Sequence, residues 1–117
     1  MMPAQTAQQR KPETTRFGNT HKVKIGPLTM YLTVNRDAAG QIIEVFGKSD
    51  EGYQGHVDMA CRLVSLGIQG RADIETVIRH MSHDKTEPVG GLGQPSSIYD
   101  GIAKVLEGER GGGANSS

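Results

Sequence analysis

The sequence of 117 residues is poor in several side chains on which protein chemistry often depends. It contains one cysteine, no tryptophan, two phenylalanines and three tyrosines, and its charges cancel to a net charge of zero. A single cysteine excludes an internal disulfide and any cysteine-rich zinc site. No run approaches the roughly 18–20 apolar residues of a membrane span, and the length excludes a two-domain enzyme. We therefore expect one soluble, cytoplasmic domain with no membrane partner.

Positive charge is concentrated near the start of the chain. Segment 1–24 has a single acidic residue, Glu13, against the basic residues Arg10, Lys11, Arg16, Lys22 and Lys24. A basic segment can contact nucleic acid. These charges are sparse and are not interleaved with aromatic residues, which is more typical of a solvated arm. We therefore expect no nucleic-acid partner.

Composition divides the chain into an arm, a body and a tail. Residues 1–16 have little apolar surface to bury, which predicts a disordered basic arm. Residues 109–117 are rich in glycine and serine, which predicts a flexible tail. Residues 17–108 remain as the folded domain. A body of this size buries only about 60–65% of its unfolded surface, which favours modest stability or oligomerisation.

The first half of the body has the alternating pattern of β-strands. Val23 and Ile25 alternate with lysines, and apolar residues alternate with Thr and Tyr from 28 to 35. A third apolar run spans residues 41–47, after a loop in which Gly40 can take a positive φ angle. These runs predict an antiparallel meander of three strands.

The second half has the spacing of α-helices. Between residues 54 and 66, two apolar stripes recur at steps of three and four, the second formed by Met59, Leu63 and Leu66. A helix this apolar needs two partners, so we expect a homo-oligomer. A second helix begins near Asp73, and Ser96 or Ser97 caps a third. The predicted class is α+β, a three-stranded antiparallel meander packed against about three helices.

The glycine-rich loop before the third helix is the strongest candidate site. Backbone N–H groups, two hydroxyls and the positive end of a helix dipole can hold an anion there. Basic residues can neutralise a phosphate, and a tyrosine can stack on a base. The candidate ligand-binding residues are Gly90, Gly91, Gly93, Ser96, Ser97, Tyr99, Arg79 and Lys85. An ordinary connector with a serine cap explains the same glycines, and both interpretations stay open.

Other reactive side chains give weak signals. His80, His83 and Asp84 supply two imidazoles and a carboxylate without a defined further ligand, so we expect no metal and no cofactor. Cys61 lies among apolar residues with no base placed to activate it, which indicates a structural thiol. We therefore assign no catalytic residue.

Four segments of the sequence resemble the TSCPD domain. They are the run from Lys24 to Asn35, Glu44–Lys48, Arg62–Leu66 and the stretch from Ser96 to Leu106. The resemblance spans roughly residues 20–107. In the naming motif, normally Thr-Ser-Cys-Pro-Asp, Asp100 matches, but Ile98 replaces the cysteine and Tyr99 replaces the proline.

This resemblance implies a fold and a context. The TSCPD domain is the carboxyl-terminal domain of many adenosylcobalamin-dependent ribonucleotide reductases, and it also occurs as a stand-alone protein. Thiol or metal chemistry needs sets of cysteines that this chain lacks, so reductase catalysis by the chain alone is excluded and we expect no enzymatic activity. We predict that the chain binds a phosphorylated ligand, a nucleotide or cyclic nucleotide, without catalysing a reaction. Its role is then to sense this ligand or to sequester it. The alternative is an accessory or regulatory protein that docks on a ribonucleotide reductase.

Overall fold

The computed structural model describes residues 17–50 and 52–112, which form one sheet and three helices. The strands are β1 (Phe17–Ile25), β2 (Leu28–Arg36) and β3 (Ile42–Ser49), antiparallel in the order β1-β2-β3. The helices are α1 (Gln54–Gln69), α2 (Ile74–Met81) and α3 (Ile98–Gly112). The predicted α+β class, with its meander and three helices, is confirmed. The predicted arm, residues 1–16, lies outside the described residues.

Two glycines set the turns of the meander. Gly26 has a φ of +58° in the two-residue turn between β1 and β2, and Gly40 has a φ of +86° in the loop before β3. A positive φ at the first position of a two-residue turn suits the right-handed twist of the flanking strands, and glycine adopts it without strain. Strands β1 and β2 pair in an unbroken register, whereas the β2–β3 pairing has one register shift between Asn35 and Arg36.

The helices cover one face of the sheet, and the core lies between them. Along β2, Leu28, Met30, Leu32 and Val34 are buried, while the residues between them face the other side. The α1 side chains that meet this layer are Val57, Ala60, Cys61 and Val64, and α3 adds Ile98, Ile102, Ala103 and Leu106. The opposite face of the sheet carries no helix within the described part of the chain.

The second apolar stripe of α1 remains exposed to solvent. Met59, Leu63 and Leu66 are 54–60% exposed, and their spacing of four and three residues places them on one side of the helix. The prediction that a second subunit covers this stripe stays a prediction. No helix among the described residues is both long enough and apolar enough to cross a membrane.

The carboxyl-terminal helix runs farther than the sequence predicts. We place the start of the flexible tail at residue 109, but α3 continues to Gly112 and Glu109 is buried. The Glu109 carboxylate accepts hydrogen bonds from His21 at 2.6 Å, Arg36 at 2.8 Å and Asn19 at 3.0 Å. This polar cluster joins α3 to β1 and β2, so the boundary predicted at residue 108 is too early.

Candidate functional site

The amino terminus of α3 is capped by its own serine and carboxylate. The hydroxyl of Ser97 accepts a hydrogen bond from the backbone N–H of Asp100 at 3.1 Å. The Asp100 carboxylate, almost fully buried, accepts from the backbone N–H groups of Ser96 at 2.8 Å and His83 at 2.7 Å. Of the two predicted caps, Ser97 is therefore the one that acts. The exchange resembles a capping box, in which a side chain at each end satisfies an unpaired N–H.

These contacts hold the carboxylate of Asp100 in its ionised form. Burial on its own raises the pKa of Asp100, but the hydrogen bonds from His83 and Ser96 and the ammonium group of Lys104 lower it from 3.8 to about 2. The Nζ atom of Lys104 lies 2.9 Å from the carboxylate. The positive end of the helix is thus paired with an anion from the same chain.

The two serine hydroxyls predicted to hold a phosphate have partners within the chain. Ser96 donates to the backbone carbonyl of Asp84 at 2.6 Å, and Ser97 donates to the carboxylate of Asp84 at 3.0 Å. These hydrogen bonds connect Asp84 to the start of α3. The side chain of Ser97 is fully buried. A ligand reaching these hydroxyls would have to displace Asp84.

The glycines of the loop make close packing possible. A Cβ atom at Gly90 would collide with the carbonyl oxygen of Pro95. The side-chain oxygen of Gln94 accepts from the backbone N–H groups of Gly91 and Gly26, each at 2.7 Å, and so joins the loop to the β1–β2 turn. The Gly90 N–H donates to the backbone carbonyl of Ser96. The N–H groups of Gly90 and Gly91, both predicted to hold an anion, therefore have acceptors within the chain.

The remaining predicted residues lie apart from one another. Tyr99 is half-buried and packs against the core, whereas Arg79 in α2 and Lys85 in the following loop are exposed. Gly93 has a φ of +79° and borders the cleft described next. The structure brings Gly90, Gly91, Ser96 and Ser97 together at the helix start. That these eight residues bind a ligand stays a prediction.

A cleft lies between β1, residues 93–95 and α3, with a volume of about 390 Å³. Its base is made of small and apolar residues, and its rim is basic. The lining residues are His21, Lys22, Val23, Lys24, Gly93, Gln94, Pro95, Gly101, Lys104, Val105 and Gly108. None of these described lining residues is acidic. A concave site of this size, with few polar groups above an apolar base, is typical of small-ligand sites.

A second basic depression is less suited to an external anion. It has a volume of about 650 Å³ and is bordered by Arg36, Arg71, Arg110 and Asp73. Arg36 is already paired with buried Glu109, and Arg110 with Glu107 at 3.0 Å. Two of the three guanidinium groups are therefore neutralised within the chain, so the cleft beside β1 is the stronger candidate.

Metal and thiol chemistry have little basis in the described residues. Within segments 17–50 and 52–112, no group of three or more His, Cys, Asp or Glu side chains can hold a metal ion. Cys61 is buried, and burial together with the charge of Asp58 raises its pKa to about 12. Such a thiol stays protonated near neutral pH and is a poor nucleophile.

Sequence reasoning found the Ser97 cap but missed the role of Asp100, most residues of the cleft and the buried Glu109. Ser97 and Asp100 have the spacing of a capping box, which signals the internal cap. No local pattern signals the cleft, because it combines residues 21–24 with residues 93–108. Glu109 was missed because the glycines after it suggest a tail.

Comparison with known protein families identifies the family of the chain. The family model described as the TSCPD domain matches residues 5–109, nearly the whole chain. No curated protein and no solved structure matches the chain. In this chain, the motif-like residues Ser96, Ser97 and Asp100 build the start of α3, while Ile98, in place of the motif's cysteine, is buried in the core.

Proposed function

This chain belongs to the TSCPD domain family, and we propose that it binds a phosphorylated small molecule in the cleft beside β1. The ligand class is a nucleotide or cyclic nucleotide. The chain binds it without catalysing a reaction, as a sensor of the ligand or a protein that sequesters it.

The observation that carries this proposal is the charge of the cleft. Lys22, Lys24 and Lys104 border it, and no acidic residue does so among the described lining residues. The lysines differ in how strongly they are paired within the chain. The Lys104 ammonium group lies 2.9 Å from the Asp100 carboxylate, whereas Lys24 donates a 3.4 Å hydrogen bond to Thr29. An exposed ammonium group with weak internal pairing, such as that of Lys24, attracts a phosphate.

The base of the cleft suits the rest of such a ligand. Val23, Pro95 and Val105 offer apolar surface to a nucleobase or ribose, and Gly108 leaves open space because a Cβ atom there would meet no other atom within 4 Å. Apolar surface with a few charged groups at its edge is the usual composition of a small-molecule site.

A thermal-shift series tests the proposal. Purified protein is heated with inorganic phosphate, nucleoside mono-, di- and triphosphates, or cyclic mono- and dinucleotides. A ligand at about 100 times its dissociation constant contributes roughly 2.7 kcal/mol of stability, and we expect at least one nucleotide to raise the melting temperature by about 5 °C or more. Absence of a shift across the series would contradict the proposal.

A pair of substitutions at one position locates the site. Gly108→Leu places a branched side chain in the open space of the cleft, and we expect it to abolish the shift. Gly108→Ala is the matched control and retains the shift, because one methyl group occupies little of the cleft. Loss of the shift in Gly91→Ala combined with Arg79→Ala, and not in Gly108→Leu, would place the ligand at the loop instead.

A second candidate function is supported by a separate observation. The exposed apolar stripe Met59, Leu63 and Leu66 suits a protein partner, since contiguous apolar patches often mark interaction sites. The family context makes a ribonucleotide reductase the partner to test. Capture of reductase by the wild type but not by Leu63→Asp, with no shift by any nucleotide, would favour docking over ligand binding.

A further inference from the structure

We propose that the outer face of the sheet binds single-stranded nucleic acid. This outer face consists of the solvent-facing side chains of β1, β2 and β3, on the side opposite the helices. It is a different surface from the cleft, although Lys22 and Lys24 border both. The proposal concerns a second ligand class and goes beyond the function proposed above.

Strand register places aromatic and basic side chains next to one another on this face. Tyr31 in β2 lies opposite Lys22 in β1 and opposite Lys48 in β3. In the adjacent row, Thr33 lies between Thr20 and Phe46. Directly opposed residues on one face have Cβ atoms about 4.5–5.5 Å apart, so each row forms a continuous surface.

The two aromatic rings are exposed where a folded protein normally buries them. Tyr31 is 45% exposed and Phe46 is 51% exposed. The surface has a depression of about 880 Å³ at Tyr31, Thr33, Phe46 and Lys48. Exposed aromatic side chains on an open antiparallel sheet provide the flat surfaces on which unpaired bases stack.

The charges on this face favour a polyanion over a second copy of the chain. Lys22, Lys24 and Lys48 are exposed, and two copies joined through this face would bring like charges together. The described carboxylates on or beside this face each have a partner: Glu44 accepts from the Asn35 side chain at 2.8 Å, Asp58 pairs with Arg62 at 2.9 Å, and Asp50 accepts from the Thr29 N–H at 3.3 Å. A phosphate backbone meets the lysines while its bases meet the rings.

The outer face combines basic and aromatic side chains, an interleaving that segment 1–24 lacks along its sequence. The basic residues of segment 1–24 are not interleaved with aromatic residues along the chain. Folding places Lys22 and Lys24 on the same face as Tyr31 and Phe46. The interleaving typical of nucleic-acid surfaces therefore exists across strands and is hidden in the linear sequence.

The test is fluorescence anisotropy with a labelled 12-nucleotide single strand of mixed sequence and the full chain at 50 mM salt. We expect saturable binding that weakens at 200 mM salt and is tighter than to the matching duplex. Tyr31→Ala combined with Phe46→Ala should weaken binding by about 30-fold or more, which corresponds to losing at least about 1 kcal/mol of stacking for each of two bases. Tyr31→Phe should retain wild-type affinity.

Matched variants separate stacking from general surface change. Leu92→Ala removes an exposed apolar side chain from a loop outside this face and should leave binding unchanged. Lys48→Gln should reduce the slope of log affinity against log salt by about 0.7, the value for one lost phosphate contact on a single strand.

Three results would overturn the proposal. The first is no binding at 50 mM salt up to 100 µM protein. The second is equal binding by the wild type and the Tyr31→Ala, Phe46→Ala double variant. The third is a native mass that falls from dimer to monomer in the double variant without any oligonucleotide binding, which would assign the face to a subunit interface.

Discussion

The amino terminus of α3 and the cleft farther along the same helix both attract negative charge, but they differ in what neutralises them. At the helix start, the Asp100 carboxylate accepts two backbone hydrogen bonds and contacts Lys104. Lys22, Lys24 and Lys104 border the cleft, and none of its described lining residues is acidic. The first place is neutralised within the chain, whereas the lysines of the second are exposed to solvent.

This difference shows that an anion-binding pattern can be satisfied within the chain and so serve stability. Glycines, serines and a helix amino terminus are the usual components of a phosphate site. Here the same components bind a carboxylate of the chain, and they fix the loop after α2 to α3. The exposed ammonium groups of Lys22 and Lys24 lie on the neighbouring strand β1.

The largest expected effect comes from removing the internal anion. Asp100→Ala leaves the partly buried N–H groups of His83 and Ser96 without their acceptor, and we expect the free energy of unfolding to fall by about 3 kcal/mol. Urea denaturation followed by circular dichroism measures it. Asp58→Asn, which breaks an exposed ion pair, is the control and should change stability by less than about 1 kcal/mol. Full rescue of Asp100→Ala by 10 mM phosphate would show that the helix start accepts an external anion.

Acid should weaken the same cluster. Because the pKa of Asp100 is lowered from 3.8 to about 2 in the folded state, the unfolded chain takes up the proton first as the pH falls. The stabilisation is complete above about pH 5 and is lost progressively toward pH 2, amounting to about 2 kcal/mol. The pKa of Glu109 is also lowered, since hydrogen bonds from His21, Arg36 and Asn19 outweigh its burial. Urea midpoints measured from pH 7 to pH 2 give the profile.

The variant Asp100→Asn isolates the contribution of that carboxylate. It removes the titrating group, so its stability should fall less steeply between pH 5 and pH 2 than that of the wild type. Equal slopes in the two proteins would assign the acid sensitivity to other groups.

The smallest expected effect concerns Gly108, which lines the cleft, and it is a gain rather than a loss of stability. Gly108→Ala should raise the free energy of unfolding by about 0.5–1 kcal/mol, because alanine favours a helix and its Cβ meets open space. Gly101→Ala on the same helix should give no such gain, since its Cβ would lie 2.9 Å from Met30 and 3.3 Å from Val23 in the core. Thermal denaturation of both variants makes the comparison, and a loss of stability in Gly108→Ala would show that the cleft is less open than described.

Most of the fold could be predicted from the sequence, because local patterns report local structure. Alternation identified β2 over nearly its full length, and glycines placed both turns. The start of β1 was missed, since residues 18–21 have no alternating apolar pattern. Burial of Glu109 depends on three residues that lie more than 70 positions away in the chain, and no local pattern reports such a contact.

The candidate site was harder to predict, for a physical reason. The features at residues 90–97 suggested affinity for an anion, and the structure supplies that anion from Asp100. A sequence pattern indicates which groups attract negative charge. It does not indicate whether the anion that pairs with them belongs to the same chain or to a ligand. The cleft and the outer face depend on strand register and on contacts between distant segments, so both became visible only after folding.

The burial of Cys61 has a practical consequence for all these experiments. Its thiol is enclosed by the core and has a pKa of about 12, so maleimide reagents at neutral pH have almost no thiolate to attack. The native chain therefore provides an unreactive background for spectroscopic labelling. A cysteine introduced at Leu92, whose side chain is fully exposed, would carry a single fluorophore without any need to replace the natural one.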